Sequence, residues 1–532
     1  MPPRPDEDDP VIPGTEAQLV RAVGTIGLAT LASRILGFIR DVVVARTFGA
    51  GLTTDAFFVA FRIPNLLRRL LAEGALATAF VPVFSDYLTH RPREEFRRML
   101  RAVAGITTVT LAGVTLLGIL LAPWIVRAMA PGFWATPAKG EIAVTLTRLM
   151  FPYLFLVGLS ALAMGALNSL DHFATPAFSP VMLNLGMIAG ALILAPALSM
   201  PILGLGWGVL AGGVGQGLLQ LPALRKRGVA VTPIFEPRHP AISQIGRLMA
   251  PAVFGTAVTQ FSVLVDTVIA SLLREGSVSF LYYADRIVEF PLGIFGIAIA
   301  TAVLPALSRQ ASRGESRELT RTLTFALGLS AFMTLPASVG LIILREPIVR
   351  VLFQRGEFDP ASSGATAWAL LFYSLGLTSF AFVKIVAPAF YALQMPRTPV
   401  RVGMGAVALN VALALALMGP LRHGGLALAT SCSATFNWLC LLILLGRKVG
   451  PIDFRDLWAS LSRSLVGCVV VGALLWIGFL WHPVESRMAE ALWLFILIAT
   501  GAGAYWGVSA LMRSPEVTLL SSLLRQRISR AA

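Results

Sequence analysis

Apolar runs of about 20 residues recur from Val20 to Met512 with only short polar connections between them. Each run is long enough to cross a ~30 Å hydrocarbon layer as a helix. A water-soluble chain could not be built this way, because 13% of the residues are charged against roughly a quarter in a soluble domain. The pattern predicts an all-α polytopic membrane protein. Spans are expected near 20–46, 54–87, 99–122, 143–169, 176–196, 202–222, 242–272, 279–308, 318–344, 363–392, 399–418, 424–446, 462–481 and 488–511, about fourteen transmembrane helices.

The first 19 residues, MPPRPDEDDPVIPGTEAQL, are acidic and proline-rich. They lack a basic start and a small-residue cleavage site, so the first helix is expected to be retained. Cys432, Cys440 and Cys468 fall in apolar runs without a CxxC pair, which favours neither a disulfide framework nor a zinc site. The net charge of +15 could suggest nucleic acid. The basic residues lie between helices rather than on one folded face, however, and membrane topology accounts for them better.

With the N-terminus in the cytoplasm, HRPREEFRR (90–98), LRKRG (224–228), RQASRGESR (309–317), RKVGPIDFR (447–455) and the tail all fall inside. That is the basic asymmetry of cytoplasmic loops, and it puts both termini in the cytoplasm. The longest outside connections, near 123–142 and 346–362, are too short for a catalytic domain. Function is therefore expected among the helices.

ALATAFVPVFS (75–85) matches AIATAVLPALS (298–308) at a displacement of 223 residues. Ala166, Leu170, Thr175 and Pro176 meet Ala389, Leu393, Thr398 and Pro399 at the same displacement. DVVVA (41–45) resembles DTVIA (266–270). Three matches in one order point to an internal duplication. The expected organisation is a cytoplasmic tail (1–19), a six-helix bundle (20–222), a linker (223–241), a second six-helix bundle (242–446) and a second linker (447–461). Two additional helices (462–512) and a basic amphipathic tail (513–532) follow. An even number of helices between equivalent positions makes the repeat parallel, a plan common in transporters that hold substrate between their halves.

SRILGFIRD (33–41), Asp55 and FRIPNLLRRLLAEG (61–74) place Arg34, Arg40, Asp41, Asp55, Arg62, Arg68, Arg69 and Glu73 inside the first two spans. A charge at the centre of a lipid-facing helix costs ~2.5–3.5 kcal/mol on insertion scales, so these residues should face an interior. Arg34, Gly37 and Asp41 share a helical stripe, and Pro64 is expected to kink the second span. YYADRIVEFP (282–291) adds Asp285, Arg286 and Glu289, while Asp266 and Lys384 lie farther on. Mutual neutralisation is one reading, with Arg69–Glu73 and Arg286 with Asp285 or Glu289 as the expected pairs. Arg62 and Arg69 could also snorkel to a membrane surface. The other reading is a hollow for a phosphorylated, anionic substrate, since guanidinium forks bind phosphate in bidentate fashion at every physiological pH. The latter assigns Arg34, Arg40, Arg68 and Arg286. GxxxxGK[ST] does not occur, so an ion gradient or the membrane potential is the expected energy source.

SRILGFIRD, TDAFFVAFRIPNLLRRLLAEGALATAFVPVF (54–84) and YYADRIVEFP resemble the signature segments of the MurJ (MviN-type) lipid II flippase family. That family belongs to the multidrug/oligosaccharidyl-lipid/polysaccharide exporter superfamily. The resemblance covers about residues 20–512. It implies a transporter rather than an enzyme, in a bacterial cytoplasmic membrane. The transporter would move undecaprenyl diphosphate carrying a disaccharide pentapeptide to the outer leaflet for cell-wall synthesis. It further implies Arg34, Arg40, Asp55, Arg68, Arg286 and Glu289 as substrate-binding positions, helices 462–481 and 491–512 as a groove for the lipid tail, and no cofactor. Lipid II and membrane lipids are the implied partners, nucleic acid is not, and other cell-wall synthesis proteins are conceivable ones. Some members bind sodium between helices 7 and 11. Asp266 and Asn410 are the candidates here, but Ala414 stands where a second carboxylate would be needed. A flippase for another polyprenyl diphosphate shares the phosphate chemistry. A multidrug/cation antiporter would favour a more acidic interior, and a polyprenyl-dependent glycosyltransferase would need an extramembrane carboxylate or metal site. A scaffold would need no buried charge.

Overall fold

The computed structural model describes residues 13–69, 76–229, 232–450, 454–481, 486–519 and 521–522. Among them every regular element is helical. Ten of these helical segments are long and apolar enough to cross a membrane.

The helices pack as two compact units. The first comprises residues 1–47, 56–128 and 137–260, and the second comprises 48–55, 129–136 and 261–532. In the first unit run α1 (Pro13–Phe48), α2 (Leu52–Arg68), α3 (Leu76–His90), α4 (Arg93–Met129), α5 (Pro137–Met150), α6 (Pro152–Ser169), α7 (Ala174–Ala189), α8 (Leu203–Lys226) and most of α9 (Pro240–Ser271). Of the expected span over 54–87, α2, which carries Pro64 inside it, and α3 are described; residues 70–75, with Glu73, lie outside the described residues. Helix starts earlier than expected in the fourth span, at Pro137, and α6 restarts with Pro152 at its first position, where the missing N–H costs nothing.

The second unit holds α10 (Ser277–Pro291), α11 (Ala298–Ser312), α12 (Ser316–Ile343), α13 (Arg345–Phe353), α14 (Pro360–Ala392), α15 (Arg397–Leu417), α16 (His423–Val449), α17 (Phe454–Leu480) and α18 (Arg487–Leu511). A π-helical turn over Leu292–Ile297 joins α10 to α11 directly after Pro291, which cannot donate to the helical ladder. The short α13 falls at the connection near 346–362. Its apolar residues Ile348, Val349 and Phe353 are buried, and burial of that stripe carries a helix too short to persist alone.

Each unit has its own apolar core, and the two use equivalent positions. Phe84, Phe96, Leu100, Ala104, Leu162, Ala166 and Leu167 of the first correspond at the 223-residue displacement to Leu307, Leu319, Leu323, Leu327, Ile385, Ala389 and Phe390 of the second. The matching seen in the sequence therefore extends to which residues are buried. Within the first unit, α7 and α8 meet through facing glycines. A Cβ on Gly186 would lie 2.4 Å from the Gly208 carbonyl oxygen, and one on Gly190 would lie 2.3 Å from that of Gly204. Small residues at four-residue spacing let membrane helices approach to backbone contact.

The linker before α9 is strapped to α4. Ile234 N–H donates to the Arg101 carbonyl (3.0 Å) and Arg101 Nε donates to that of Thr232 (3.3 Å). The strand of chain passes so close that a Cβ on Gly105 would sit 2.0 Å from the Ile234 oxygen. Arg98 clasps Glu236 through Nε (3.2 Å) and Nη2 (2.7 Å). That hydrogen bond from Arg98 holds the Glu236 carboxyl below the ordinary carboxylate value of 4.5. A lowered folded-state pKa means that the clasp contributes above the unfolded carboxylate pKa and is lost as pH falls through the folded one. Glu236→Gln should accordingly raise trypsin cleavage at Arg238 several-fold at pH 7, measured on the full chain in detergent. Cleavage equal to that of the unsubstituted chain would show that the clasp does not hold the strap.

Candidate substrate-binding arginines

The four arginines singled out by the sequence have four different environments. Arg34, on α1, is exposed. Two turns on, Arg40 is buried, and its Nε and Nη2 donate to Asp41 Oδ1 at 3.0 and 2.7 Å. Its Nη1 donates to Asn184 Oδ1 at 3.0 Å. Asn184 sits in the middle of apolar α7 and donates in turn to the Ser33 carbonyl (3.1 Å). Gly37 faces this amide, and a Cβ there would reach Asn184 at an ordinary contact distance of 3.7 Å. Arg40 is therefore a neutralised, internally fixed cation that ties α1 to α7.

Arg68, at the end of α2, donates through Nε (3.0 Å) and Nη2 (2.8 Å) to Asn65 Oδ1 one turn back, and is half-buried. Arg62 and Arg69 are also half-buried. The expected Arg69–Glu73 pair lies outside the described residues. Arg286 forms the expected pair with Glu289, Nη1 to Oε2 at 2.5 Å. Its guanidinium carbon lies 4.9 Å from the Tyr282 ring centroid, a cation–π placement. Asp285 and Lys384 are exposed.

Asp55, near the start of α2, is bonded to the chain around Gly276 and Ser279. Its side chain is fully buried. Oδ2 accepts from Gly276 N–H (2.8 Å), and Oδ1 accepts from Ser279 N–H (2.9 Å) and Ser279 Oγ (2.6 Å). These donors are the N-terminal cap of α10, where unpaired N–H groups and the helix dipole favour an anion. Gly276 takes φ +85°, a conformation that glycine adopts without penalty. Glu275 adds a bond from Leu52 N–H (2.7 Å). Asp55 thus fixes the start of the helix that carries Arg286 and Glu289.

Asp266 Oδ1 accepts from Asn410 Nδ2 at 2.6 Å, while Asn410 Oδ1 is buried without a hydrogen-bond partner. The next turn of α15 presents Ala414, fully buried. Between them Asp266 and Asn410 carry three side-chain oxygens, of which Asp266 Oδ1 accepts the Asn410 amide. Asn65, Asn184, Ser279 and Tyr282 were missed as supporting residues. For Asn184 the readable signal was a lone amide in an apolar run; for Ser279 it was the GSVS segment (276–279) opening the α10 pattern.

A family model described as lipid II flippase MurJ matches residues 44–498. The chain belongs to the MurJ family. A probable lipid II flippase MurJ of Vibrio cholerae is 42% identical over 86% of this chain and 89% of its own. The lipid II flippase MurJ of Burkholderia cenocepacia is 36% identical over 92% and 97%. A solved structure, "Lipid II flippase MurJ, inward closed conformation", covers 92% of this chain and 98% of its own with TM-score 0.77 at 26% identity. An inward-facing multidrug resistance MATE transporter of the MOP superfamily covers 78% at TM-score 0.65 and 17% identity, a likeness of fold alone.

Asp55→Asn replaces an acceptor oxygen by an NH2 group facing N–H donors, and unsatisfied buried polar groups cost ~1–3 kcal/mol each. The expected result is a lower midpoint of thermal unfolding in detergent and impaired growth support, with Asp55→Glu intermediate. An unchanged midpoint in Asp55→Asn would contradict the capping role.

Proposed function

We propose that this chain is a lipid II flippase of a bacterial cytoplasmic membrane. In this reading it carries undecaprenyl-diphosphate-linked peptidoglycan precursor from the inner to the outer leaflet for cell-wall synthesis. The observation that carries the reading is the 42% identity over most of both chains to a relative of that name, joined to the family match over residues 44–498. The chemistry agrees. The substrate's diphosphate needs cations that stay charged in a low-dielectric setting, and guanidinium groups meet that need.

Within this reading Arg34, Arg68 and Arg286 take the diphosphate. Arg34 is exposed, Arg68 is oriented by Asn65, and Arg286 is held between Tyr282 and Glu289. Arg40 is better suited to positioning α1, because Asp41 and Asn184 already engage it. Glu289 acts on substrate through Arg286, lending it a counter-charge that an incoming phosphate would replace. The site is exposed alternately to the two membrane faces, the headgroup crosses, and the polyprenyl tail stays in lipid. A potential negative inside favours outward movement of an anionic headgroup by ~2.3 kcal/mol per unit charge per 100 mV. Both termini face the cytoplasm, in keeping with the basic connections.

Complementation tests this reading. In cells depleted of their own lipid II flippase, the chain should restore growth. Arg34→Ala, Arg68→Ala and Arg286→Ala, at normal membrane levels, should each lower it. No rescue by the unsubstituted chain at normal levels would overturn the flippase reading, and full rescue by all three variants would overturn the arginine assignment alone.

A further inference from the structure

The chain that follows α18 holds a buried carboxylate that the transport reading does not use. α18 stops at a left-handed residue, Arg513 (φ +51°), and the Ser514 N–H closes the turn on the Ser509 carbonyl (3.0 Å). A six-to-one bond around a left-handed residue ends a helix and turns the next residues back toward it. Ser514, Glu516 and Val517 are buried, whereas Arg513 is exposed. Glu516 Oε1 accepts from Ser460 Oγ of α17 (2.5 Å), and Oε2 accepts from Ser514 Oγ. The notch is completed by α12: a Cβ on Gly328 would lie 3.2 Å from Ser460 Oγ and 3.5 Å from Glu516 Oε1. Glu516 forms no ion pair among the described residues.

The opposite end of α18 carries another buried carboxylate, held differently. Glu490 lies in the first turn, where a helix N-terminus favours an anion, and Arg350 Nη1 of α13 meets its Oε1 at 3.3 Å. Between these ends α17 and α18 interlock. A Cβ on Gly478 would overlap Leu497, one on Gly467 would lie 2.8 Å from Tyr505, and one on Gly501 would lie 3.1 Å from Leu475. Away from the notch, the face toward α12 is slacker. There a Cβ on Gly472 would first meet Val339 at 3.6 Å, and one on Gly340 would first meet Leu475 at 4.0 Å. A stiff pair of helices on a slack face, charge-paired at one end and held by hydroxyl donors at the other, is built to pivot.

We propose that Glu516 is a latch. It fastens the α17–α18 pair to α12 at one end, the Arg350–Glu490 ion pair is the hinge on α13 at the other, and opening the latch lets the pair swing from α12 about that hinge. A carboxylate bonded to serines suits the movable end, because water replaces hydroxyl donors when the notch opens. Parting Glu490 from Arg350 would instead strand a buried charge. The device goes beyond the transport reading and does not depend on it.

Hydrogen–deuterium exchange of the full chain in mild detergent, read by mass spectrometry, tests the proposal. Glu516→Ala should raise amide exchange about tenfold in residues 457–464 of α17 and 505–511 of α18, the effect of losing roughly one net charge-assisted hydrogen bond from a local opening. Residues 487–494 should be unchanged in that variant. Ser460→Ala, which removes one donor and leaves the carboxylate in place, should shift the same peptides by a smaller factor. Arg350→Gln should do the reverse, raising exchange in 487–494 and in α13 while 457–464 stays protected. Unchanged exchange of 457–464 in both Glu516→Ala and Ser460→Ala would overturn the latch. A uniform rise along α17 and α18 in Glu516→Ala would overturn the hinge, since the pair would then have loosened as a whole.

Discussion

A guanidinium group cannot be left uncompensated in hydrocarbon, and much of this molecule's local architecture follows from that constraint. Arg40 shows how the chain meets it. The neighbouring Asp41 supplies the counter-charge and Asn184 the further acceptor, and both must arrive together because breaking a buried pair leaves a stranded charge worth several kcal/mol. The amide on α7 therefore fixes where α1 passes. Behind this contact the facing glycines of α7 and α8 hold their backbones together. One charged side chain is thereby coupled to the placement of three helices.

Asp55 and Arg286 extend the same logic in the second unit. The carboxylate meets the open N–H groups at the start of α10, where the helix itself provides the positive end. Three bonds from one buried side chain set the first turn of α10. Two turns on, Tyr282 and Glu289 hold Arg286 in a partly exposed position. Charges that are buried and fully bonded do structural service, whereas those that remain reachable are the ones suited to a ligand. Burial and partner identity separate the two classes among arginines and aspartates that look alike in the sequence.

The membrane class, the positions of most helices and the duplication were legible in the sequence because apolar run length and repeated pattern are properties of the chain itself. The corrections have physical causes. Proline positions divide helices: Pro152 opens α6, and a π-turn follows Pro291. Alpha13 depends on tertiary burial rather than on its nine residues. At the candidate site, the residue types were readable but their roles were not. Arg40 and Arg34 look alike in SRILGFIRD, and only the amide from α7, 144 residues away, tells them apart. Asp55 reads as an intramembrane acid, yet the donors that define it come from 221 and 224 residues farther along. Such pairings leave no local pattern.

The central claim is that reachable arginines in this chain recognise diphosphate. The most direct measurement is the affinity of the full chain in nanodiscs for lipid II compared with an analogue in which an uncharged linker replaces the diphosphate. Loss of charge-assisted bonds worth ~1.5–3 kcal/mol each should weaken binding by about a hundredfold, and this difference should shrink in a chain carrying Arg34→Ala, Arg68→Ala and Arg286→Ala together. Equal affinity for the two ligands in the unsubstituted chain would contradict the claim.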